Sequence, residues 1–545
     1  MKEYIRLEIL KALKKLDYPE KEFIIDEPKD KKFGDLSANI AMLLSKELKN
    51  NPREIAKNIL DNLEMDSHKI SKADIAGPGF LNFFVSDNYF KNELLYILGS
   101  EDYGKLNTNY GKTANIEWVS ANPTGPLHAG HGRQVCLGKA IANLLEWTGY
   151  KVTREYYYND AGNQMNNLAK SIRARYEQIF NPDFPFPQDG YVGEYIKEIA
   201  NKIADEFKDK LVNSSDLEFF KNFGEKENFN KIIKTLEKFG IVHDIFYNET
   251  SLYKNGNIDE LKNIFKEKNL SYENEGAVWL KMSGKFEKDK VIVKATGEPT
   301  YRLPDMAYHI DKIKRKFDLI IDIFGSDHFD TYKEVLFGVQ SAGFDTDKIK
   351  VIIHQMVTFK KGNESFKMSK RSDNVYYLDD LIDDVGIDAT QFFFIMRSAN
   401  THLDFDVELA KEQSDKNPVY YLQYAYARIC GILRNAEENF ESFKKFKLED
   451  LNLDLIKDEY EMNLLKLLSR FPEEIEDTAK TLEPHRLISY LNIVAESFHI
   501  FYHNNRVLDL ENPSLSFARL CICKAVQKIL NSGFTIIGIK SPERM

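Results

Sequence analysis

A chain of 545 residues, 43% hydrophobic and 29% charged, can bury a large core and is long enough for about three to four domains of roughly 150 residues. Its formal net charge of −10 argues against a nucleic-acid coat protein but leaves room for a local basic patch that meets RNA. The four cysteines, Cys136, Cys430, Cys521 and Cys523, form no C-x-x-C pair, so neither a zinc site nor a disulfide framework is expected and a reducing cytosol is.

Residues 1–105 read as a small α+β unit. Ile5, Ile9, Leu13 and Leu16 alternate with charges, which predicts an amphipathic first helix and not a signal peptide. A second helix is expected over residues 36–49 and a third after Pro52, a residue suited to a first helical turn. Residues 75–85 read as a turn leading into a strand. Glycine and asparagine around 104–111 mark a boundary. From Ala114 the pattern turns α/β: a strand at 116–120, a helix at 134–147 stopped by Thr148 and Gly149, and a strand at 151–158. Residues 181 to about 290 are richer in Lys, Asn and Glu and read as an insertion that interrupts the sheet. Strand character returns at 291–293, 319–324 and 349–353. From Asn417 the chain is helical in pattern. No run of about 18 apolar residues appears, so no membrane span is expected.

The chemistry concentrates in Ser120-Ala-Asn-Pro-Thr-Gly-Pro-Leu-His-Ala-Gly-His-Gly-Arg133. It follows an apolar strand and precedes a helix, where backbone N–H groups and the helix dipole favour an anion. Gly130 has no Cβ and lets the backbone approach a nucleotide. His128 and His131 can donate to triphosphate oxygens as charge develops. Far downstream, Lys367-Met-Ser-Lys-Arg371 follows a β-like run at 351–357 and a glycine turn at Gly362. Two lysines on a loop there can close on the leaving pyrophosphate and neutralise it. Alone, that stretch would read as a solvated basic loop; with the first motif it becomes the second half of a nucleotide site.

H-x-G-H followed by K-M-S-K is the signature pair of class I aminoacyl-tRNA synthetases. The words around it, with Tyr157-Tyr-Asn-Asp-Ala-Gly-Asn-Gln164, Asn417-Pro-Val-Tyr-Tyr421, Tyr424-Ala-Tyr-Ala-Arg428 and Phe501-Tyr-His-Asn-Asn-Arg-Val507, resemble the arginyl-tRNA synthetase family. The first motif region comprises Asn122, Pro123, Thr124, Gly125, Pro126, Leu127, His128, Ala129, Gly130, His131 and Gly132. Ala129 stands where the family usually has isoleucine, and it is expected to pack between the histidines.

The resemblance implies a multidomain α/β protein. Residues 1–105 would be an α+β domain touching the outer corner of tRNA, on the match of Phe33-Gly-Asp35 and Gly77-Pro-Gly-Phe80. Residues 106–375 would be a Rossmann-like catalytic domain with the insertion at about 181–290. Residues 376–415 would connect it to an α-helical anticodon-binding domain at 416–545. The implied activity is ATP-dependent ligation of L-arginine to tRNA(Arg) through arginyl-adenylate, by a cytoplasmic monomer without a tightly bound cofactor, a metal held by the protein or a membrane contact. ATP would be bound by His128, Gly130, His131, Lys367, Met368, Ser369 and Lys370, with Mg²⁺ held mainly through phosphates and water. His128, His131, Lys367 and Lys370 would be catalytic.

A guanidinium has five donors and no acceptor, so its site needs carboxylates. By resemblance Glu117 and Asp305 would hold it and Tyr301 would pack on it. Ser120, Ala121, Asn122 and His131 would hold the α-amino and carboxylate groups. His328, or Asp327 one residue away, would touch the substrate from the loop after residues 319–324. Tyr157, Asn159, Asp160 and Gln164 would form the pocket wall. Tyr420, Tyr424 and Arg428, with Arg434 and Arg506, are candidate RNA contacts, by base stacking and phosphate pairing. Three rival readings stand beside this one. A small-metabolite adenylyltransferase would not need the long helical tail. Another class I synthetase would lack the Glu117 and Asp305 pair. A non-catalytic tRNA-binding paralogue would lose one of the two motifs.

Overall fold

The computed structural model describes residues 1–362, 364–366, 375–439 and 447–545. These fall into two compact units, one of Met1–Tyr103, Gly431–Arg470 and Glu496–Ile529, the other of Gly104–Cys430, Phe471–Ala495 and Leu530–Met545.

In the first unit the helix Lys2–Lys15 buries Ile5, Ile9, Ala12 and Leu13, as its spacing predicts. The helix expected over 36–49 is shorter. Leu36–Ala38 is a strand, and only Ile40–Leu48 is helical. Leu36 and Ala38 are buried with Ser37 between them, and that two-residue alternation fits an antiparallel partner, Phe80–Val85. Ile25–Asp26, Leu36–Ala38, Phe80–Val85 and Ile70–Ala76 lie in that order in a four-stranded sheet.

The second unit is built on a five-stranded parallel sheet. Its strands are β1 (Thr113–Glu117), β2 (Lys151–Tyr158), β3 (Ile245–Asn248), β4 (Leu319–Gly325) and β5 (Ile349–His354), in the order β5-β4-β1-β2-β3. The helices that matter for the site are α1 (Gly132–Trp147), α2 (Gly162–Phe180), α3 (Glu194–Phe207), α4 (Leu217–Lys238) and α5 (Arg302–Lys314). The order of strands reverses between β1 and β4, and in open α/β sheets ligands bind at the carboxyl ends of the strands beside such a switch point.

The segment expected to interrupt the sheet also completes it. β3 comes from its middle and pairs with β2. Four residues between His243-Asp244 and Glu249-Thr250 are too short a run to announce a sheet strand. Lys290–Val293, expected as a return to the main sheet, instead joins Ala277–Leu280 and Ser271–Asn274 in a separate antiparallel sheet. Val357–Lys361 and Glu364–Phe366 form a hairpin. Lys367, Met368, Ser369 and Lys370 follow it and lie outside the described residues.

The described tail is helical: Pro418–Asn439, Glu459–Leu468, Phe471–Thr481, Pro484–Asn504 and Pro513–Ile537. The last of these is long and apolar, but Arg519, Lys524, Gln527 and Lys528 interrupt it and 72% of its most apolar stretch is buried inside the protein, as in a core helix.

Candidate active site

β1 ends in an unusual turn. Val119 and Ser120 have φ of 72° and 42°, a left-handed conformation that costs a non-glycine residue free energy and persists only where its surroundings enforce it. Those surroundings are on hand. The buried Tyr156 hydroxyl on β2 donates to the Ala121 carbonyl at 2.7 Å and accepts from the Ala121 N–H at 3.1 Å. Ser120 Oγ donates to Glu117 Oε1 at 2.8 Å and accepts from the Tyr157 N–H at 3.0 Å. Asn122 Oδ1 accepts from the Asn159 N–H, and its Nδ2 donates to Gln164 Oε1, both at 3.0 Å. The turn therefore stands on the carboxyl end of β2 and the start of α2.

The loop then reaches a short 3₁₀ turn, Ala129–His131, that runs into α1. His131 Nδ1 accepts from the His128 N–H at 3.2 Å. The two imidazoles stack with centroids 3.7 Å apart. Nothing fits between rings at that distance, so Ala129 does not pack between the histidines. It is fully buried, and its N–H donates to the Tyr376 carbonyl. Arg133, also fully buried, donates to the carbonyls of Gln355, Ser398 and Thr401 and so anchors the start of α1.

Beneath the turn lies a row of buried carboxylates. Asp322 on β4, Glu117 on β1 and Glu155 on β2 are register partners across three adjacent strands, all 3% exposed or less. Uncompensated, such a row would be prohibitive. α5 supplies the compensation along one face. Lys312 Nζ, with no exposed surface, donates to both Glu117 and Asp322. His309 Nε2 lies 3.1 Å from Asp322 Oδ2. Just past the helix, Arg315 forks onto Glu155 at 2.7 and 2.8 Å, and the Tyr308 hydroxyl donates to the same carboxylate at 2.9 Å. Burial opposes the Lys312 charge, but the Asp322 and Glu117 carboxylates outweigh it and raise the ammonium above its ordinary range.

Asp305 stands two turns before Lys312 on α5, near enough to Glu117 and Glu249 to feel their charge. Its carboxylate has no hydrogen-bond partner among the described residues. Burial pushes it up to about 7, Glu117 and Glu249 add to the rise, and His309 and Lys312 oppose it. Glu249, just after β3, accepts from the Tyr157 hydroxyl at 2.8 Å, and burial raises its carboxyl too. The site is thus a cluster of carboxylates in which Lys312, His309 and Arg315 engage Asp322, Glu117 and Glu155, while Asp305 and Glu249 pair with no cation among the described residues.

The remaining predicted residues are placed as follows. Tyr301, at the start of α5, is 57% exposed, and the Arg302 guanidinium lies over its ring at 4.8 Å. His328 ends a short turn after β4 and stacks on Phe324 with Asp327 beside it. Asp160 accepts from Thr250 Oγ1 at 2.5 Å. Tyr420, Tyr424 and Arg428 share one face of Pro418–Asn439, with Tyr424 and Arg428 exposed. Sequence reasoning missed Glu249, Lys312, Asp322 and Glu155. The helical spacing of Asp305, His309 and Lys312 is the one signal that pointed to part of them. Among the described residues no cluster of three His, Cys, Asp or Glu side chains is placed to hold a metal ion, and the four cysteines are buried and form no disulfide with one another.

Comparison with known proteins places this geometry. The family model of class I (R) tRNA synthetase catalytic domains matches residues 93–404, that of arginyl tRNA synthetase N-terminal domains residues 3–85, and that of DALR anticodon binding domains residues 422–545. An arginine–tRNA ligase of Bacillus licheniformis is 44% identical over 556 aligned residues, covering all of this chain and 99% of that protein. One from Chlorobium limicola is 46% identical, covering 96% of each chain. The solved Thermus thermophilus arginyl-tRNA synthetase matches over the whole of both chains with a TM-score of 0.78 at 20% identity, a likeness of fold. On the catalytic-domain match and the end-to-end identity, the chain belongs to the arginyl-tRNA synthetase family of class I aminoacyl-tRNA synthetases.

Proposed function

We propose that this chain is an arginine–tRNA ligase whose amino-acid site is the carboxylate cluster that includes Asp305. ATP and L-arginine react at the carboxyl ends of β1 and β4 to give arginyl-adenylate and diphosphate. The arginyl group then passes to the 2′-OH of the terminal adenosine of tRNA(Arg), releasing AMP. The observation that carries this reading is the Asp305 carboxylate, set beside Glu117 and Glu249 with no hydrogen-bond partner among the described residues. A guanidinium supplies the matching donors, and charge-assisted forks are the strong interactions available to it.

In this reading Asp305 and Glu117 face the guanidinium and Tyr301 covers it. Glu117 is already engaged by Lys312 and Ser120, so Asp305 makes the closer pairing and Glu117 acts through its remaining acceptor capacity and its field. Ser120, Ala121, Asn122 and His131 orient the α-amino and carboxylate groups, and His328 closes the side towards β4. His128, Gly130 and His131 hold the nucleotide, and Lys367, Met368, Ser369 and Lys370 close over the pyrophosphate. No covalent enzyme intermediate is needed, so the rate comes from positioning and from donors aimed at developing charge. ATP brings Mg²⁺ bound through phosphates and water.

Residues 1–105 serve as the tRNA outer-corner domain, 106–375 as the catalytic domain with its insertion at about 181–290, 376–415 as a connector and 416–545 as the anticodon domain, with Tyr420, Tyr424 and Arg428 on RNA. The protein works as a cytoplasmic monomer without a resident cofactor or membrane contact. The test is pyrophosphate exchange over all amino acids, with and without tRNA, followed by charging of total tRNA. Exchange with arginine alone, dependent on tRNA, is expected; exchange with another amino acid and none with arginine rejects the reading.

A further inference from the structure

Two side chains from the segment between β2 and β3 grip the loop that joins the β1 turn to the histidine turn. The Tyr195 hydroxyl, in the first turn of α3, donates to the Thr124 carbonyl at 2.7 Å. Asn228, fully buried in α4, donates from Nδ2 to the Pro123 carbonyl at 3.0 Å. The two acceptors are consecutive. The Tyr195 ring also presses on the next residue: a Cβ on Gly125 would sit 2.8 Å from its Cζ. That close approach accounts for a glycine at 125.

The grip has a rigid base. α2, α3 and α4 share a core of Leu168, Ile172, Ile196, Ile199 and Phe220. The far end of the loop is fixed separately, by the Leu378 N–H on the Leu127 carbonyl and the Ala129 N–H on the Tyr376 carbonyl. Between these fixed points the loop carries Asn122 at one end and His128 at the other, one proposed for the amino acid and one for the nucleotide. Any drift of Pro123 and Thr124 changes the spacing of the two reactants, and a misplacement of about 1 Å is costly for a reaction that depends on positioning.

We infer that Tyr195 and Asn228 are positioning residues for arginine activation, so that the inserted helices set the geometry of the adenylation site without touching either substrate. The inference rests on the arginine–tRNA ligase reading above. The test uses the full chain with Tyr195→Phe and Asn228→Ala, and with Lys197→Ala as control, since Lys197 pairs with Glu194 on the exposed face of the same helix. Loss of one hydrogen bond of ordinary strength predicts a kcat for arginine-dependent pyrophosphate exchange about three- to tenfold lower in each of the first two, with the KM for tRNA unchanged. Backbone amide exchange should quicken over residues 122–127 while protection in α3 and α4 stays at the wild-type level. Lys197→Ala should keep the wild-type rate. A wild-type kcat in Tyr195→Phe overturns the inference, as does a loss of rate accompanied by equal loss of protection throughout α3 and α4. If the wild type itself shows no arginine-dependent exchange, the ligase reading fails and the positioning role falls with it.

Discussion

Asp305, proposed to pair with the substrate, is held near neutrality by its surroundings. Burial raises its carboxyl to about 7, and Glu117 and Glu249 add to the rise. A guanidinium stays charged at all accessible pH values, so arginine pairs with the ionised form. In the proposed reading, arginine must displace the proton that Asp305 carries below about pH 7. The KM for arginine should therefore rise by up to about tenfold per pH unit as pH falls below 7, and level off above it. The linkage to stability has the opposite sense. The folded state holds this proton up to about pH 7 and the unfolded chain releases it near the usual carboxylate value, so this group's contribution falls as pH rises through that window. Asp305→Asn should raise the KM by about 100-fold or more and flatten its pH profile. Glu249→Gln is the sharper probe. It removes a charge that lifts Asp305, so the KM profile should break at a lower pH than in the wild type. Steady-state exchange from pH 5.5 to 8 reads both, and an unmoved break in Glu249→Gln disproves the coupling.

At the scale of elements, one helix balances three strands. Asp305, Tyr308, His309 and Lys312 fall on one face of α5 by three- and four-residue spacing, and register alone lines Asp322, Glu117 and Glu155 beneath it. The histidine turn is legible in the sequence because strand end, glycine and helix start are adjacent along the chain. Glu117 and Asp305 are legible only by resemblance. Lys312 is legible only through its helical spacing from Asp305, because within Asp311-Lys-Ile-Lys-Arg315 it otherwise reads as part of a solvated basic run until the strands that bury it are known. Glu249 is hidden for a related reason, since β3 is too short to announce the strand end it follows. The opposite face of the sheet makes its own prediction. On α1, a Cβ on Gly138 would lie 2.2 Å from Trp118 Cγ, and Trp118 is fully buried. Alanine gains about 1 kcal/mol of helix propensity over glycine, but overpacking against a rigid ring costs about 1–3 kcal/mol. Gly138→Ala should therefore lose stability overall, with a lower urea midpoint followed by tryptophan fluorescence. A raised midpoint would mean that Trp118 yields without cost.

The molecule as a whole is acidic, with a net charge of −10, yet its proposed partner is a polyanion, so RNA contact must rest on particular residues and not on the overall field. Tyr420, Tyr424 and Arg428 stand four residues apart along Pro418–Asn439, and the two tyrosine rings are nearly parallel, 6.2 Å between centroids. The proposed RNA contact combines two kinds of interaction, and salt separates them. Stacking of an unpaired base on Tyr424, 42% exposed, displaces few counterions, whereas a phosphate on Arg428 releases about one. Tyr424→Ala should therefore lower kcat/KM for tRNA by about 5- to 100-fold at every salt concentration and leave the slope of its logarithm against the logarithm of salt unchanged. Arg428→Ala should make that slope shallower by about 0.7 to 1, so its defect is largest in dilute buffer and fades as salt rises. Charging measured from 50 to 300 mM potassium chloride resolves the two. Parallel lines for both variants would remove Arg428 from phosphate contact, and an unaffected Tyr424→Ala would return its ring to the ordinary surface of a helical domain.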